Sequence, residues 1–248
     1  MRLTDRITSR RNVGLVAVSE YVKQHFIEGI GFPADRIEVI PNCLDPTRSA
    51  RASPQEITRA RTSLGIREGD TVLVHVGRLM TEKGQEEAIR AIPEIRHQIP
   101  TVRLLLVGPG PDRERLEGIV RELGLGEAVV LAGLRSDVPA LLQASDLFMF
   151  PSRREGLSVA LIEALAAGLP AVVCDIPQNR EVGDGIASVR FVPARSSSAI
   201  AAATLSLLGD QNVRASARQA AGSVQDRFSA PRLSKQFFDL CARWSPRQ

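Results

Sequence analysis

The chain has 248 residues, of which 44% are hydrophobic and 24% are charged, and its formal net charge is +4. This composition is typical of a globular protein with one large domain or one and a half, and 4% aromatic residues predict an aliphatic core. No apolar run reaches the roughly 18 residues that a membrane span needs, and the N-terminal residues contain no apolar signal core. No Lys/Arg run is interleaved with aromatic residues, so we expect no nucleic-acid partner.

Cysteine usage indicates reduced thiols rather than a disulfide framework. Cys43, Cys174 and Cys241 are far apart and odd in number, and no C-x-x-C or Cys/His ligand spacing occurs. The three histidines form no metal motif either. We therefore expect a cytoplasmic protein.

Residues 1–12 carry four arginines at near-helical spacing. A solvated helix face is the simpler interpretation of this arginine stripe. A peripheral contact with the anionic inner face of the membrane is the alternative that stays open.

The next segment predicts a short strand, a helix and a second strand. Val13–Val18 is the first apolar run, and Ser19 is the predicted N-cap of a helix that continues to Phe26. Ile37–Ile40 is the second strand. Residues 46–64 are polar and helix-forming, which indicates a surface segment.

From Thr71 onward, short apolar strands alternate with helices, which predicts βαβ units in a parallel, doubly wound α/β sheet. The predicted strands are Thr71–Val76, Val102–Val107, Val129–Ala132, Leu147–Phe150, Ala171–Cys174 and Val189–Val192. The predicted helices are Gly84–His97, Asp112–Leu123, Val138–Ala144, Val159–Ala167, Ser197–Leu208, Val213–Arg227 and Pro231–Trp244.

The helix predicted at Val159–Ala167 is apolar almost all round, which indicates a buried helix. Glu163 is its only charged residue, and a buried carboxylate needs a compensating partner. Glu155 lies eight residues earlier, beside N–H groups of residues 156–158 that attract anions at the helix N-terminus. The two carboxylates could accept hydrogen bonds from sugar hydroxyls, and the helix N-terminus could bind phosphate. A sugar nucleotide carries both kinds of group. A salt bridge of Glu163 inside the core is the structural alternative.

Residues 151–173, PSRREGLSVALIEALAAGLPAVV, resemble the E-x7-E region of the family 4 glycosyltransferases, also called group 1. The resemblance implies a GT-B fold and sugar transfer, with retention, from a UDP-, GDP- or ADP-sugar. It also implies that Glu163 holds the ribose hydroxyls and that Glu155 holds the donor sugar. The flanking residues that it places in the binding site are Gly156, Leu157 and Ser158.

The stretch HVGRLMTEKG places Arg78 and Lys83 five residues apart on one strand-to-helix loop. Ligands of open α/β sheets bind at the carboxyl ends of strands, where two cations could clamp a diphosphate and stabilise the leaving group. The stretch resembles the GRL…K element of the family, which adds Gly77 to the site. Two solvated loop charges are the alternative when the stretch is considered alone.

Two further loops are expected at the same edge of the sheet. Gly108 and Gly110 in VGPGP permit close approach by a phosphate or a base; this pattern is weak alone but matches a family element. Leu134 and Arg135 resemble the family's segment near the nucleotide base, and Asp137 is the predicted N-cap of the next helix.

The stretch CDIPQNREV resembles the family's segment after the E-x7-E helix. Gln178 stands where the family commonly has glycine, so we expect it to crowd the donor sugar. Glu181 is either the family's acid at this point or a capping residue, and the sequence leaves both interpretations open.

The resemblance extends from about residue 13 to residue 244. It implies a remnant of the first GT-B domain and the crossing segment in residues 1–45, a nucleotide-sugar-binding domain in 46–228, and a closing helix in 229–248. We therefore predict the donor half of a hexosyltransferase that transfers to a glycan, lipid or small-molecule acceptor. Without the rest of the first domain, the isolated chain is expected to be inactive.

The expected partners follow from this prediction. They are the nucleotide-sugar donor and either a separate chain carrying the first domain or another copy, docked on the last helix through Phe237, Phe238 and Trp244. No metal or other cofactor is expected, because the two cations and the helix end supply the positive charge. A non-catalytic nucleotide-sugar-binding module is the alternative function. A dinucleotide-dependent Rossmann enzyme is a distant third, since no full G-x-G-x-x-G occurs.

Overall fold

The computed structural model describes residues 14–47 and 51–244. The strands are β1 (Leu15–Ala17), β2 (Ile37–Val39), β3 (Thr71–Val76), β4 (Val102–Val107), β5 (Val129–Gly133), β6 (Leu147–Phe150), β7 (Ala171–Cys174) and β8 (Val189–Val192). The α-helices are α1 (Glu20–Ile30), α2 (Pro54–Ser63), α3 (Gln85–Gln98), α4 (Arg113–Glu122), α5 (Val138–Gln143), α6 (Val159–Ala166), α7 (Pro177–Gly183), α8 (Ser197–Gly209), α9 (Val213–Arg227) and α10 (Ala230–Trp244).

Most of these bounds agree with the predicted ones to within one or two residues. The first helix continues past Phe26 and ends where Gly31 adopts a left-handed conformation, with φ of 72°. Helix α7 was not predicted; it begins with Pro177, at a position where a helix tolerates proline. The arginine stripe of residues 1–12 and the first residue of the first predicted strand lie outside the described residues.

The main sheet has six parallel strands in the order β5-β4-β3-β6-β7-β8. This confirms the prediction of a parallel, doubly wound α/β fold. The chain builds outward from β3 through β4 to β5 and then returns to place β6 on the other side of β3. The loops that leave the carboxyl ends of β3 and β6 lead to helices on opposite faces of the sheet. We call the space between these two loops the crevice, since such sheets bind ligands at this point.

Alternate strand residues face two apolar layers, as period-2 geometry requires. Val72, Val74 and Phe148 belong to the cluster that contains residues of α5, α6 and α9. Leu73 and Leu147 belong to the opposite cluster, with residues of α3, α4 and α8. Since helices cover both faces of the sheet, its strands are continuous apolar runs rather than alternating ones.

Strands β1 and β2 pair in parallel as a separate two-stranded sheet beside α1. The Ser19 hydroxyl donates to Gly156 O at 2.7 Å. The two Glu181 carboxylate oxygens accept the backbone N–H groups of Glu20 and Tyr21, each at 2.9 Å. Glu181 therefore caps α1 and joins this segment to α7, which is the capping role; its role as the family's acid stays a prediction. Ser19 is the N-cap of α1, as predicted.

The last helix packs through one face only. Leu233 and Leu240 are buried in a cluster with Ile40 of the N-terminal segment. Phe237 and Phe238 remain 46% and 70% exposed. The division into residues 1–45, 46–228 and 229–248 stays a prediction, as does docking of a partner on this face.

Among the helices formed by residues 14–47 and 51–244, none combines the length and apolar content that crossing a bilayer requires.

Candidate functional site

Backbone hydrogen bonds connect the loops along the carboxyl edge of the sheet. Gly108 N donates to Gly133 O at 2.8 Å, and Gly77 N donates to Val107 O at 2.9 Å. Leu79 N donates to a carbonyl of the following loop, Pro109 O, also at 2.9 Å. The loops after β3, β4 and β5 thus form one continuous rim. All predicted site residues except Glu163, which lies inside α6, belong to loops at this edge.

Lys83 and Glu155 form an ion pair across the crevice. Lys83 Nζ lies 2.7 Å from Glu155 Oε1, and the side chains are 21% and 10% exposed. The structure thereby joins two predicted site residues that are 72 positions apart in the sequence. Their proximity follows from the adjacency of β3 and β6.

Gln178 supports Glu155 from the other side. Its side chain is only 4% exposed, and its Nε2 donates to Glu155 O at 2.9 Å. The amide donor of Gln178 is directed to the Glu155 backbone, and crowding of the donor sugar by this side chain stays a prediction.

Arg153 connects the same two loops. Its guanidinium pairs with Glu87 of α3 at 2.5 Å and also donates to Thr81 O. Its backbone N–H donates to Glu82 O at 2.8 Å. Two bonds from Arg153 therefore fix the turn that carries Lys83 to the loop that carries Glu155, and the ion pair with Glu87 fixes that loop to α3. Sequence reasoning missed this contribution, because Arg153 matches no motif.

Arg78 projects from the rim. Its side chain is exposed and makes no ion pair with any residue in 14–47 or 51–244. An exposed guanidinium without a carboxylate beside it keeps its donors available for an anion.

Helix α6 begins at the crevice with Ser158 as its N-cap, and the Ser158 hydroxyl accepts Leu161 N–H at 3.2 Å. Within the described part of the chain, the backbone N–H groups of residues 156–158 donate no hydrogen bond. These donors and the helix dipole favour an anion at this point. Glu163, one turn further along, is 4% exposed, which confirms the prediction that this carboxylate is buried.

Gly108 and Gly110 are required by packing within the rim. Gly108 has a φ of +138°, and a Cβ there would collide with Gly77 O. A Cβ at Gly110 would collide with the backbone of Leu79. Their glycine character is thus explained by loop-to-loop contact, and a direct contact with a ligand stays a prediction.

The predicted base-binding segment divides into two parts. Leu134 is 81% exposed at the rim. Arg135 instead forms an ion pair with Asp137 at 2.6 Å and bonds to Ser63 Oγ at 2.9 Å. Asp137 occupies the N-cap position of α5, as predicted, but its carboxylate accepts no helix N–H. Hydrogen bonds from Arg135 hold the pKa of Asp137 below its usual value.

Two buried polar residues beneath the rim were missed entirely. His75 on β3 is 0% exposed, and Gln85 at the start of α3 is 1% exposed. Their side-chain nitrogens lie 3.1 Å apart. A polar pair inside two apolar runs is visible in the sequence, but nothing local indicates that the two side chains meet.

The fold is a doubly wound α/β domain of the kind that binds nucleotides. Cations, carboxylates and the N–H groups of a helix N-terminus lie at the point where its strand order reverses. The family model described as "Glycosyl transferases group 1" matches residues 56–224, and "Glycosyltransferase Family 4" matches residues 1–48. The chain belongs to the group 1 glycosyltransferases.

Curated relatives support this assignment. The chain is 33% identical over 169 residues to a 2-deoxystreptamine glucosyltransferase of Streptomyces kanamyceticus, covering 67% of this chain and 43% of the relative. It is 34% identical over 180 residues to a GDP-mannose-dependent alpha-(1-6)-phosphatidylinositol monomannoside mannosyltransferase of Mycolicibacterium smegmatis, covering 66% and 46%. The chain thus spans less than half the length of these two relatives.

A solved structure with the same fold is that of Anabaena HepE in complex with UDP and glucose. The two structures superimpose with a TM-score of 0.87 at 25% identity, covering 95% of this chain and 64% of HepE. The match confirms the Rossmann-like half of a GT-B glycosyltransferase.

His75 predicts a pH dependence of stability. Burial lowers the pKa of His75 from 6.5 to about 4, so the unfolded chain binds more protons between these values. Stability should fall as pH drops from 6.5 toward 4, and His75 alone should account for about 2 kcal/mol between pH 7 and pH 5. Urea unfolding at pH 7 and at pH 5 measures how much free energy of unfolding each protein loses on acidification. This loss should be about 2 kcal/mol smaller in His75→Asn than in the wild type. An equal loss in both proteins would contradict the assignment.

Proposed function

We propose that the chain is the donor-binding half of a retaining glycosyltransferase that uses a nucleotide-diphosphate sugar. The observation that carries the proposal is the Lys83–Glu155 pair at 2.7 Å, at the start of α6 and at the switch point of the sheet. It brings a cation and a carboxylate beside N–H groups that favour phosphate. A diphosphate joined to a polyhydroxyl group needs this combination of groups.

The proposed roles follow from the charges. Arg78 and Lys83 hold the diphosphate, together with N–H groups of residues 156–158. Lys83 already neutralises Glu155 within the chain. A phosphate that shares Lys83 would leave a Glu155 oxygen able to accept a hydroxyl of the donor sugar. Glu163 accepts the ribose hydroxyls, as in the family resemblance.

The same cations serve the chemical step. When the bond between the anomeric carbon and the phosphate oxygen breaks, negative charge develops on the diphosphate. Donors already positioned at that charge stabilise the transition state more than the ground state. Because two cations and a helix end provide this stabilisation, the proposed reaction needs no metal.

The base, the sugar and the acceptor differ among the relatives, so none is transferred to this chain. HepE binds UDP and glucose, whereas the Mycolicibacterium relative is GDP-mannose-dependent. The first experiment is therefore a thermal-shift panel of UDP-, GDP- and ADP-sugars on the whole chain. A rise in melting temperature with one base class identifies the donor, and no rise with any of them contradicts the proposal.

Glu163→Gln should weaken binding of the selected nucleotide sugar and leave the fold intact. The substitution keeps the shape of the side chain but removes the charge, and hydrogen bonds to a charged group contribute about 1.5–3 kcal/mol each. Calorimetry should therefore show at least a tenfold weaker affinity. Glu117→Gln, on the outer helix α4 and paired with Arg113, is the control and should bind as the wild type does. Unchanged affinity in Glu163→Gln would make Glu163 purely structural.

Nucleoside diphosphate binding should be metal-free and sensitive to salt. Excess EDTA should leave the affinity unchanged, and rising salt should weaken it by screening the cations. Arg78→Ala should flatten this salt dependence with little loss of stability, since Arg78 is exposed. Arg121→Ala removes another exposed arginine, at the far end of α4, and should behave as the wild type does. A strict requirement for magnesium or manganese would refute the proposed charge arrangement.

Residues 1–248 alone should bind donor but transfer no measurable sugar. Placing two reactants together lowers a barrier by roughly 7–11 kcal/mol, and the described residues offer only the donor side of a cleft. Adding the first domain of a group 1 relative as a separate chain should allow transfer with retention. A product assay that counts donor hydrolysis separately tests this. Multiple-turnover transfer by the chain alone would refute this prediction. Donor binding without transfer, both with and without the added domain, would favour a non-catalytic binding module.

A further inference from the structure

His75 and Gln85 form a hydrogen-bonded pair directly beneath the loop that carries Arg78. His75 Nδ1 lies 3.0 Å from Met149 O of β6. His75 Nε2 lies 3.1 Å from Gln85 Nε2. The same Gln85 nitrogen lies 2.7 Å from Arg78 O. The pair thus links the two strands at the switch point to the Arg78 backbone.

The direction of each bond is fixed by chemistry. A carbonyl only accepts, so His75 Nδ1 carries the proton that is donated to Met149 O. The neutral imidazole then leaves Nε2 as an acceptor, and Gln85 Nε2 donates to it. The second amide hydrogen of Gln85 is directed to Arg78 O. If the amide were rotated by half a turn, Gln85 Oε1 would face two other acceptors, His75 Nε2 and Arg78 O. One orientation of the Gln85 amide is therefore favoured.

The loop above rests on this pair. A Cβ at Gly77 would lie 3.2 Å from His75 Nε2, so the backbone passes close over the imidazole ring. Gly77 N–H donates to the last residue of β4 and Leu79 N–H donates to the loop that follows it, while Gln85 holds the Arg78 carbonyl between them. The Arg78 backbone is therefore held at three successive points, while its side chain remains exposed.

We propose that His75 and Gln85 are positioning residues, which fix the Arg78 backbone so that its guanidinium is directed at the anion bound in the crevice. Two apolar side chains would fill the same interior without the cost of burying an amide and an imidazole. Among the described residues, the pair makes its hydrogen bonds to two other groups, the backbone carbonyls of Met149 and Arg78. We infer that the hydrogen bonds of the pair stabilise one conformation of the loop that carries Arg78.

This inference rests on the proposed function only for the identity of the anion. The expected gain is preorganisation: a loop backbone held in place before binding loses less freedom when the ligand arrives. Removing the Gln85 donors should therefore lower affinity by about fivefold to tenfold, the size of one net hydrogen bond.

The test compares two glutamines that make the same bond. Gln85→Met and Gln85→Glu both remove the N–H donors, one with an apolar and one with a charged side chain. Gln225→Met controls for the type of bond, because Gln225 Nε2 also donates to a backbone carbonyl at 2.7 Å, that of Ala166 at the other end of α6, although Gln225 is exposed and Gln85 is buried. Amide hydrogen exchange follows the N–H groups of Leu79 and Lys83 in each protein. Calorimetry measures UDP, GDP and ADP binding.

We expect faster exchange at both amides in the two Gln85 variants and wild-type exchange in Gln225→Met. Unchanged exchange in the Gln85 variants overturns the inference, whether or not any nucleotide binds. If the wild-type chain binds none of the three nucleotides, the proposed function is refuted. The exchange result still decides whether His75 and Gln85 fix the Arg78 backbone.

A double-mutant cycle separates positioning of Arg78 from a general loss of stability. If Gln85 acts through Arg78, Gln85→Met should lower affinity in the wild-type background and have no effect in Arg78→Ala. Additive losses would show that Gln85 acts independently of Arg78, and would overturn the proposal. Gln225→Met should leave affinity unchanged in both backgrounds, even if it lowers the melting temperature.

Discussion

The adjacency of β3 and β6 determines the site. These strands are far apart in the sequence, yet they pair directly in the sheet, so the loops that follow them leave the same edge side by side. The Lys83–Glu155 ion pair can form only because of this adjacency. A sheet with any other neighbour for β3 would separate the cations from the helix end and leave no crevice between them.

The loop that carries Glu155 is held from three directions. Lys83 holds the carboxylate, Gln178 holds the backbone carbonyl, and Ser19 donates to the carbonyl of the next residue, Gly156. Each contact comes from a different element of the fold. These contacts are made within the chain itself, so most of the entropy loss of ordering this loop accompanies folding rather than binding.

Much of this could be predicted from the sequence, and the exceptions have one physical cause. Fully covered parallel strands are short apolar runs, so Thr71–Val76 and Leu147–Phe150 were predicted to the residue. The burial of Glu163 could be predicted because a single charge inside an apolar helix is conspicuous in the sequence. The partners of Gln178 and Gln85 were not predictable, since each is chosen by tertiary contacts that leave no periodic pattern.

The buried polar groups beneath the rim and the exposed charges above it have different energetic roles. His75 and Gln85 satisfy each other and two carbonyls, which lets them lie in a nearly dry interior. Arg78 remains in solvent, where an exposed cation is inexpensive and contributes little to stability. A site of this kind separates rigidity from charge: the interior fixes the loop, and the exposed guanidinium stays available to an anion. Stability and binding can therefore be altered by different substitutions, which makes the contribution of each layer measurable.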